Sequence, residues 1–147
     1  MNLLSRRSLS AIAAVVDVAL HARPVPVTAK ALAARHNLPP RHLETVLQAL
    51  VRFSILKGLR GPKGGYELAR ERRRVSVGDI VRAAQSGTGG REEDAALRTA
   101  LVDNVISPAI AVAGEVFLRE LDGITVEDLC RRADVTSGND HPPDFTI

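Results

Sequence analysis

Apolar residues in the first third of the chain recur at the three-and-four spacing of helices with one buried face. Leu9, Ile12, Ala13, Val16, Ala19 and Leu20 predict an amphipathic first helix over residues 8–22, with Asp17 on its wetter side. Pro24 and Pro26 stop it, because proline removes a backbone donor and clashes with the preceding turn. Thr28 then suits the cap of a short second helix reaching Arg35, with Leu32 and Ala33 inward, and Asn37 suits the left-handed turn that ends it. Pro40 opens a third helix, where Leu43, Val46, Leu47, Leu50 and Val51 form a buried stripe to about Ile55. Two short helices joined by so brief a turn are a helix-turn-helix pattern.

From Leu59 to Leu68 the pattern changes to a tight hairpin. Pro62 pre-sets a first turn position, Gly64 and Gly65 after Lys63 supply positive φ, and the turn carries Arg60 and Lys63 outward. A basic hairpin directly after a helix-turn-helix predicts a winged helix. Arg70, Arg72, Arg73 and Arg74 form a basic turn, suited either to backbone phosphates or to plain solvation, and Ser76 with Asp79 forms a capping box for a fourth helix to about Gln85.

Ser86 to Gly90 has the composition of a flexible linker. Beyond it, Arg91 to Ile106 reads as helical, Ser107 as a cap, and Pro108 as the start of a helix reaching Leu121. Between Pro108 and Leu118 only Glu115 is charged, and Ala109, Ala111, Ala113 and Gly114 permit close approach. Such a helix needs cover on both sides. A second copy would supply it through Ile110, Ala113, Phe117 and Leu121; the alternative is a helix tucked against the first helix of its own chain. Ile124 to Arg132 predicts a short closing helix, and residues 134–147, with Asn139, Pro142 and Pro143, a disordered tail. The predicted fold is mainly α (α+β): a winged helix-turn-helix domain over residues 1–85 with a two-stranded wing, a linker over 86–90, and a helical dimerisation region over 91–133.

The 147 residues, 45% of them hydrophobic, suit one small domain with an appended element. Charge sharpens the division, because residues 1–85 hold 15 Lys/Arg against five Asp/Glu, and the remainder five against 12. A basic first part suits a polyanion through counterion release, although both charge sets also serve to solvate a surface. No apolar run reaches bilayer length, and Arg6 and Arg7 are not followed by a small-residue cleavage site, so a cytoplasmic protein with no membrane partner is expected. One cysteine, Cys130, rules out an internal disulfide framework and cannot alone hold zinc or an iron-sulfur cluster. His21, His36 and His42 are irregularly spaced and His141 lies in the tail, so no metal site is expected. There is no phosphate-binding loop, nucleophile elbow or paired-carboxylate pattern, and neither catalysis nor a cofactor is expected.

The candidate chemistry lies opposite the third helix's buried stripe. Arg41, Glu44, Thr45, Gln48 and Arg52 share that face, with His42 near the helix start. Arg41 suits guanine, Gln48 adenine or phosphate, and Glu44 the cytosine amino group. With Thr28 at the head of the second helix and Arg60, Lys63 and Gly64 of the hairpin, these are the candidate contacts to double-stranded DNA. The competing interpretation is a charged solvent face.

These motifs together resemble a known family. Val16-Asp17-Val18-Ala19-Leu20, Ala31-Leu32-Ala33, Leu43-Glu44, the hairpin Arg60-Gly61-Pro62-Lys63-Gly64-Gly65-Tyr66, Gly78-Asp79-Ile80-Val81 and Ile124-Thr125-Val126-Glu127-Asp128-Leu129 are similar to the Rrf2 family of bacterial winged-helix regulators, which includes IscR, NsrR and CymR. The resemblance runs from Leu3 to Leu129. It implies a homodimeric repressor or activator on a partly palindromic operator, with Arg41, His42 and Glu44 reading bases and Arg60 entering the minor groove. Arg41 and His42 stand where other members often carry Ser and Tyr, so their operators do not transfer. Cluster-binding members place three cysteines in the segment matching residues 85–105, which has none here. The chain resembles a member without that cluster; whether Cys130 senses redox state, or an unknown small molecule acts as effector, stays open. The sequence thus points to a sequence-specific repressor, with a protein-binding winged helix as the alternative.

Overall fold

The computed structural model describes residues 3–86 and 98–138. Ser5 starts the first helix, α1 (Arg6–His21), by accepting the Ser8 N–H at 3.1 Å. Thr28 caps α2 (Ala29–His36) by accepting from Ala31 N–H at 3.1 Å, and Asn37 closes it in the left-handed conformation, as its sequence predicts. Next comes α3 (Pro40–Arg52), with Leu43, Val46, Leu47 and Leu50 inward. It ends three residues before the expected Ile55, where Ser54 takes a positive φ and turns the chain into strand β1 (Leu56–Leu59).

β1 pairs antiparallel with β2 (Gly65–Leu68), Leu56 opposite Leu68 and Leu59 opposite Gly65. The turn between them closes with Gly64 N–H donating to the Gly61 carbonyl at 2.9 Å. Positive φ falls on Gly61 (112°) and, as expected, on Gly65 (155°), but not on Gly64. Gly64 is required for space: a Cβ there would overlap the Leu59 carbonyl oxygen and stand 2.9 Å from the Gly61 oxygen. Val27 adds a third short rung, exchanging both backbone hydrogen bonds with Tyr66 at 3.0 and 2.7 Å. The wing is thereby tied to the residue next to the α2 cap.

A 3₁₀ turn (Arg72–Arg74) leads into α4 (Val77–Gln85), whose Ser76/Asp79 capping box is complete. α1 runs through the centre of the main core, meeting α3, α4 and β2. Its fully buried stripe is Ala11, Ala14, Val15 and Val18; of the residues the spacing favours, Ile12, Val16 and Ala19 pack half-buried against the core, while Leu9 and Leu20 lie exposed. Close approach from several sides selects small side chains and displaces the larger ones to the flanks.

Asp17, expected on the wetter side, is only 4% exposed. It accepts from Arg35 Nε at 2.8 Å and Nη2 at 2.6 Å, and its Oδ2 lies 2.8 Å from His36 Nε2. Burial raises its pKa, but hydrogen bonds from Arg35 and His36 and the charges of Arg35 and His21 outweigh this and hold it below the ordinary value. This buried carboxylate clamps α2 to α1.

Residues 100–122 form one continuous helix. Near its N-terminal end is a π turn (Val102–Ile106), and its main part is α5 (Ser107–Asp122). Ser107 therefore does not cap a new helix. Its N–H donates five residues back to the Val102 carbonyl, and the loosened ladder accommodates Pro108 without a break. The C-terminal end of α5 packs on α4, where Arg82 grips Asp122 with two hydrogen bonds of 2.7 and 2.8 Å. α6 (Val126–Gly138) closes the described chain, so residues 134–138, predicted as tail, are helical. The rest of that segment and most of the 86–90 linker lie outside the described residues.

Candidate nucleic-acid interface

The stripe that buries Leu43, Val46, Leu47 and Leu50 obliges the other side of α3 to face water. Arg41, Glu44, Thr45, Gln48 and Arg52 are all exposed there. Arg41, Glu44 and Gln48 keep free side-chain polar groups among the described residues. Thr45 does not: its hydroxyl donates to the Arg41 carbonyl at 2.9 Å. His42 turns the other way, half-buried with Nε2 3.3 Å from Ser10 Oγ on α1. Burial first, and then Arg7 and Arg6, hold its imidazole below the ordinary value. His42 thus sits at the α1–α3 joint, apart from the outward row formed by Arg41, Glu44 and Gln48, because α1 crosses close to the first turn of α3.

At the wing tip Arg60 and Lys63 are exposed and have no carboxylate partner among the described residues, whereas Lys57 lies 3.6 Å from Glu67 farther down the strands. Gly64 shapes the turn. Thr28 is exposed but spends its acceptor on the α2 cap. The arginine cluster after the wing is largely engaged within the chain. Arg70 donates to the Ser54 carbonyl at 3.2 Å, Arg72 meets Glu127 at 3.1 Å and Arg73 meets Glu71 at 2.7 Å. Spacing within the cluster gives no sign of Glu127, which arrives from α6.

The four residues expected at a dimer face separate into two pairs. Ile110 is 62% exposed and Ala113 is also exposed, beside exposed Val112 and Val116. Phe117 and Leu121 are taken up by the chain's own core, packing with Val77 and Val81 of α4. Among the described residues only the C-terminal end of α5 is covered; the rest presents apolar side chains to water.

A helix-turn-helix whose second helix runs straight into a two-stranded hairpin defines a winged helix-turn-helix protein. The family profile Rrf2, described as "Iron-dependent Transcriptional regulator", matches residues 4–132, and the chain belongs to that family. Protein rrf2 of Nitratidesulfovibrio vulgaris is 28% identical over 145 residues, 92% of each chain. The solved structure of T. potens IscR superposes with a TM-score of 0.69 at 29% identity, covering 90% of this chain and 88% of that one. CymR of B. subtilis, at 23% identity and a TM-score of 0.65 over 90% of this chain and 98% of its own, shares the fold. The chain spans about half the length of the curated relatives it matches at above 30% identity.

The profile's description names iron, and the residues do not fit a cysteine-held cluster. Such a cluster takes several thiolates, and the single cysteine, Cys130, is buried in the core. Among the described residues no three His, Cys, Asp or Glu side chains are placed to hold a metal ion. Asp17, with His21 and His36 beside it, is already gripped by Arg35. Among the described residues, no helix is long and apolar enough to cross a membrane.

Proposed function

We propose that this chain is a sequence-specific DNA-binding transcriptional regulator, acting as a homodimeric repressor on a partly palindromic operator. The observation that carries this is the outward row of Arg41, Glu44 and Gln48 on α3, without internal partners among the described residues and followed directly by a wing whose Arg60 and Lys63 are equally unpaired among them. Gathering unpaired cations is costly for a free protein and favourable against a polyanion. The row offers a donor fork, an acceptor and an amide in succession, the chemistry that distinguishes base pairs in the major groove. Arg60 suits the narrower groove alongside. The exposed apolar face around Ile110, Val112 and Val116 supports a second copy as partner, because a patch of this kind in water favours association. Twofold symmetry would then set two recognition helices on half-sites about one helical turn apart, or a multiple of it.

The test is a titration of the purified protein against duplex from upstream of its own gene and against random duplex, at two salt concentrations. Tight binding that survives random competitor and weakens steeply with salt supports the proposal. Weak, salt-insensitive binding to both would contradict it and favour a protein partner for the winged helix.

A further inference from the structure

The C-terminal end of α5 meets the N-terminal end of α4 at a joint that joins a small apolar patch to a polar network. Phe117 and Leu121 pack on Val77 and Val81. The chain after α5 also pairs with the chain before α4, since Val77 N–H donates to the Ile124 carbonyl at 2.8 Å and Val126 N–H to the Val75 carbonyl at 2.9 Å. Beside this patch the Asp122 carboxylate lies against the first turn of α4. Arg82 holds it by two hydrogen bonds of 2.7 and 2.8 Å. Ser76 Oγ, which caps α4 by accepting from Asp79 N–H at 3.0 Å, lies 3.5 Å from Asp122 Oδ1. Gly78 leaves the room for it: a Cβ there would overlap Asp122 Oδ1 and stand 2.9 Å from its Cγ.

These features do little for stability. Arg82 is 45% and Asp122 36% exposed, where ion pairs contribute little, and glycine is a poor helix former. Their effect is on direction. An apolar patch of this size holds two helices over a range of angles, whereas a bidentate carboxylate contact seated in a glycine gap selects one. Direction matters because the rest of the helix is a lever. Every residue from 103 to 116 is exposed, and Ile110 stands about 18 Å along the axis from Asp122 at the helical rise. A tilt of about 10° at the joint moves the Ile110 face by about 3 Å relative to the winged helix, close to the rise of one DNA base pair.

We propose that the Asp122 and Arg82 contact, with Gly78 beneath it, sets the spacing of the two half-sites that a dimer of this chain accepts. This rests on the homodimeric DNA-binding reading above and adds specificity from residues that touch no DNA. All three are positioning residues: the base contacts of α3 stay as they are, and what changes is where the second copy's α3 falls.

The experiment compares the full chain with Asp122→Ala, Arg82→Ala and Gly78→Ala on three duplexes: one half-site, the two-half-site operator, and that operator with one to three base pairs inserted at its centre. Each variant is expected to remain a folded dimer in circular dichroism melts and sedimentation, and to bind the single half-site as the wild type does. On the two-half-site operator each is expected to lose about tenfold, because the second contact forms at a lower effective concentration. The penalty for inserted base pairs is expected to shrink relative to the wild type. Arg82→Ala combined with Asp122→Ala is expected to lose no more than either alone, since both remove one contact. Wild-type affinity and spacing preference in Asp122→Ala and Gly78→Ala would overturn the proposal. So would equal losses on half-site and operator, which would mark a general weakening of the winged helix, or a shift to monomer, which would place the joint in the dimer seam. A wild type that binds no duplex, or gains nothing from a second half-site, would instead sink the homodimeric DNA-binding reading and the spacing role with it.

Discussion

Asp17 is an acid inside an apolar helix, and its partners explain why it is tolerated there. A bidentate arginine and a histidine fill its acceptor positions, so the buried charge is compensated, and its partners pin α2 to α1. Asp17→Asn is expected to cost about 1–3 kcal/mol, read as a lower urea midpoint. Because its carboxyl is held below the ordinary 3.8, the stabilisation is complete above that value and is lost as pH falls through the folded value; Asp17→Asn should flatten that acid limb. His42 acts at higher pH. The folded state resists its protonation while the unfolded chain takes a proton near 6.5, so stability falls as pH drops below that value, and His42→Gln should remove this part of the pH dependence. For recognition, Arg60→Ala is expected to weaken operator binding by about 1–3 kcal/mol, and Glu44→Ala to relax base preference more than it lowers affinity for random duplex. The outward row of α3 was legible in the sequence because its periodicity is strong. The placement of Asp17 and His42 was not: both depend on which neighbour crosses α1, which spacing within one helix does not encode.

Elements with strong local chemistry were the most legible. Thr28, Asn37 and the Ser76/Asp79 box each mark a helix end by hydrogen bonds a few residues away, and all three stand as their residue types dictate. The wing was legible as a turn, but the roles of its glycines needed coordinates, since only the closed hairpin shows that Gly64 is crowded by the Leu59 carbonyl. Gly64→Ala is therefore expected to distort the wing and weaken DNA binding while leaving most of the thermal stability intact, because the α-helical core does not depend on that turn; circular dichroism melts alongside DNA titration check this. The continuous helix through Ser107 was missed for an equally local reason. Ser-Pro reads as a helix start, and a π turn that absorbs the proline has no signature in residue type. Asn139, Pro142 and Pro143 predict a tail from residue 134 on, yet α6 extends through residues 134–138.

At the scale of the molecule, the described chain is a covered winged helix with an uncovered arm. Arg82 and Asp122 fasten the C-terminal end of α5 to α4, while Ile110, Val112 and Val116 face water. If that face is a homodimer seam, Ile110→Glu should yield a folded monomer in sedimentation and lose most affinity for a two-half-site operator, with affinity for one half-site unchanged. The apolar stretch between Pro108 and Leu118 marks this helix as apolar nearly all round; the assignment of Phe117 and Leu121 to the chain's own core required its packing on α4. On the proposed function, a symmetric pair of these chains reads a DNA sequence through α3 and the wing. Its most direct measurement is selection of duplexes from a randomised pool by the purified protein. Enrichment of one partly palindromic motif is expected, with half-sites about one helical turn apart, or a multiple of it. A pool that emerges without any enriched sequence would contradict it.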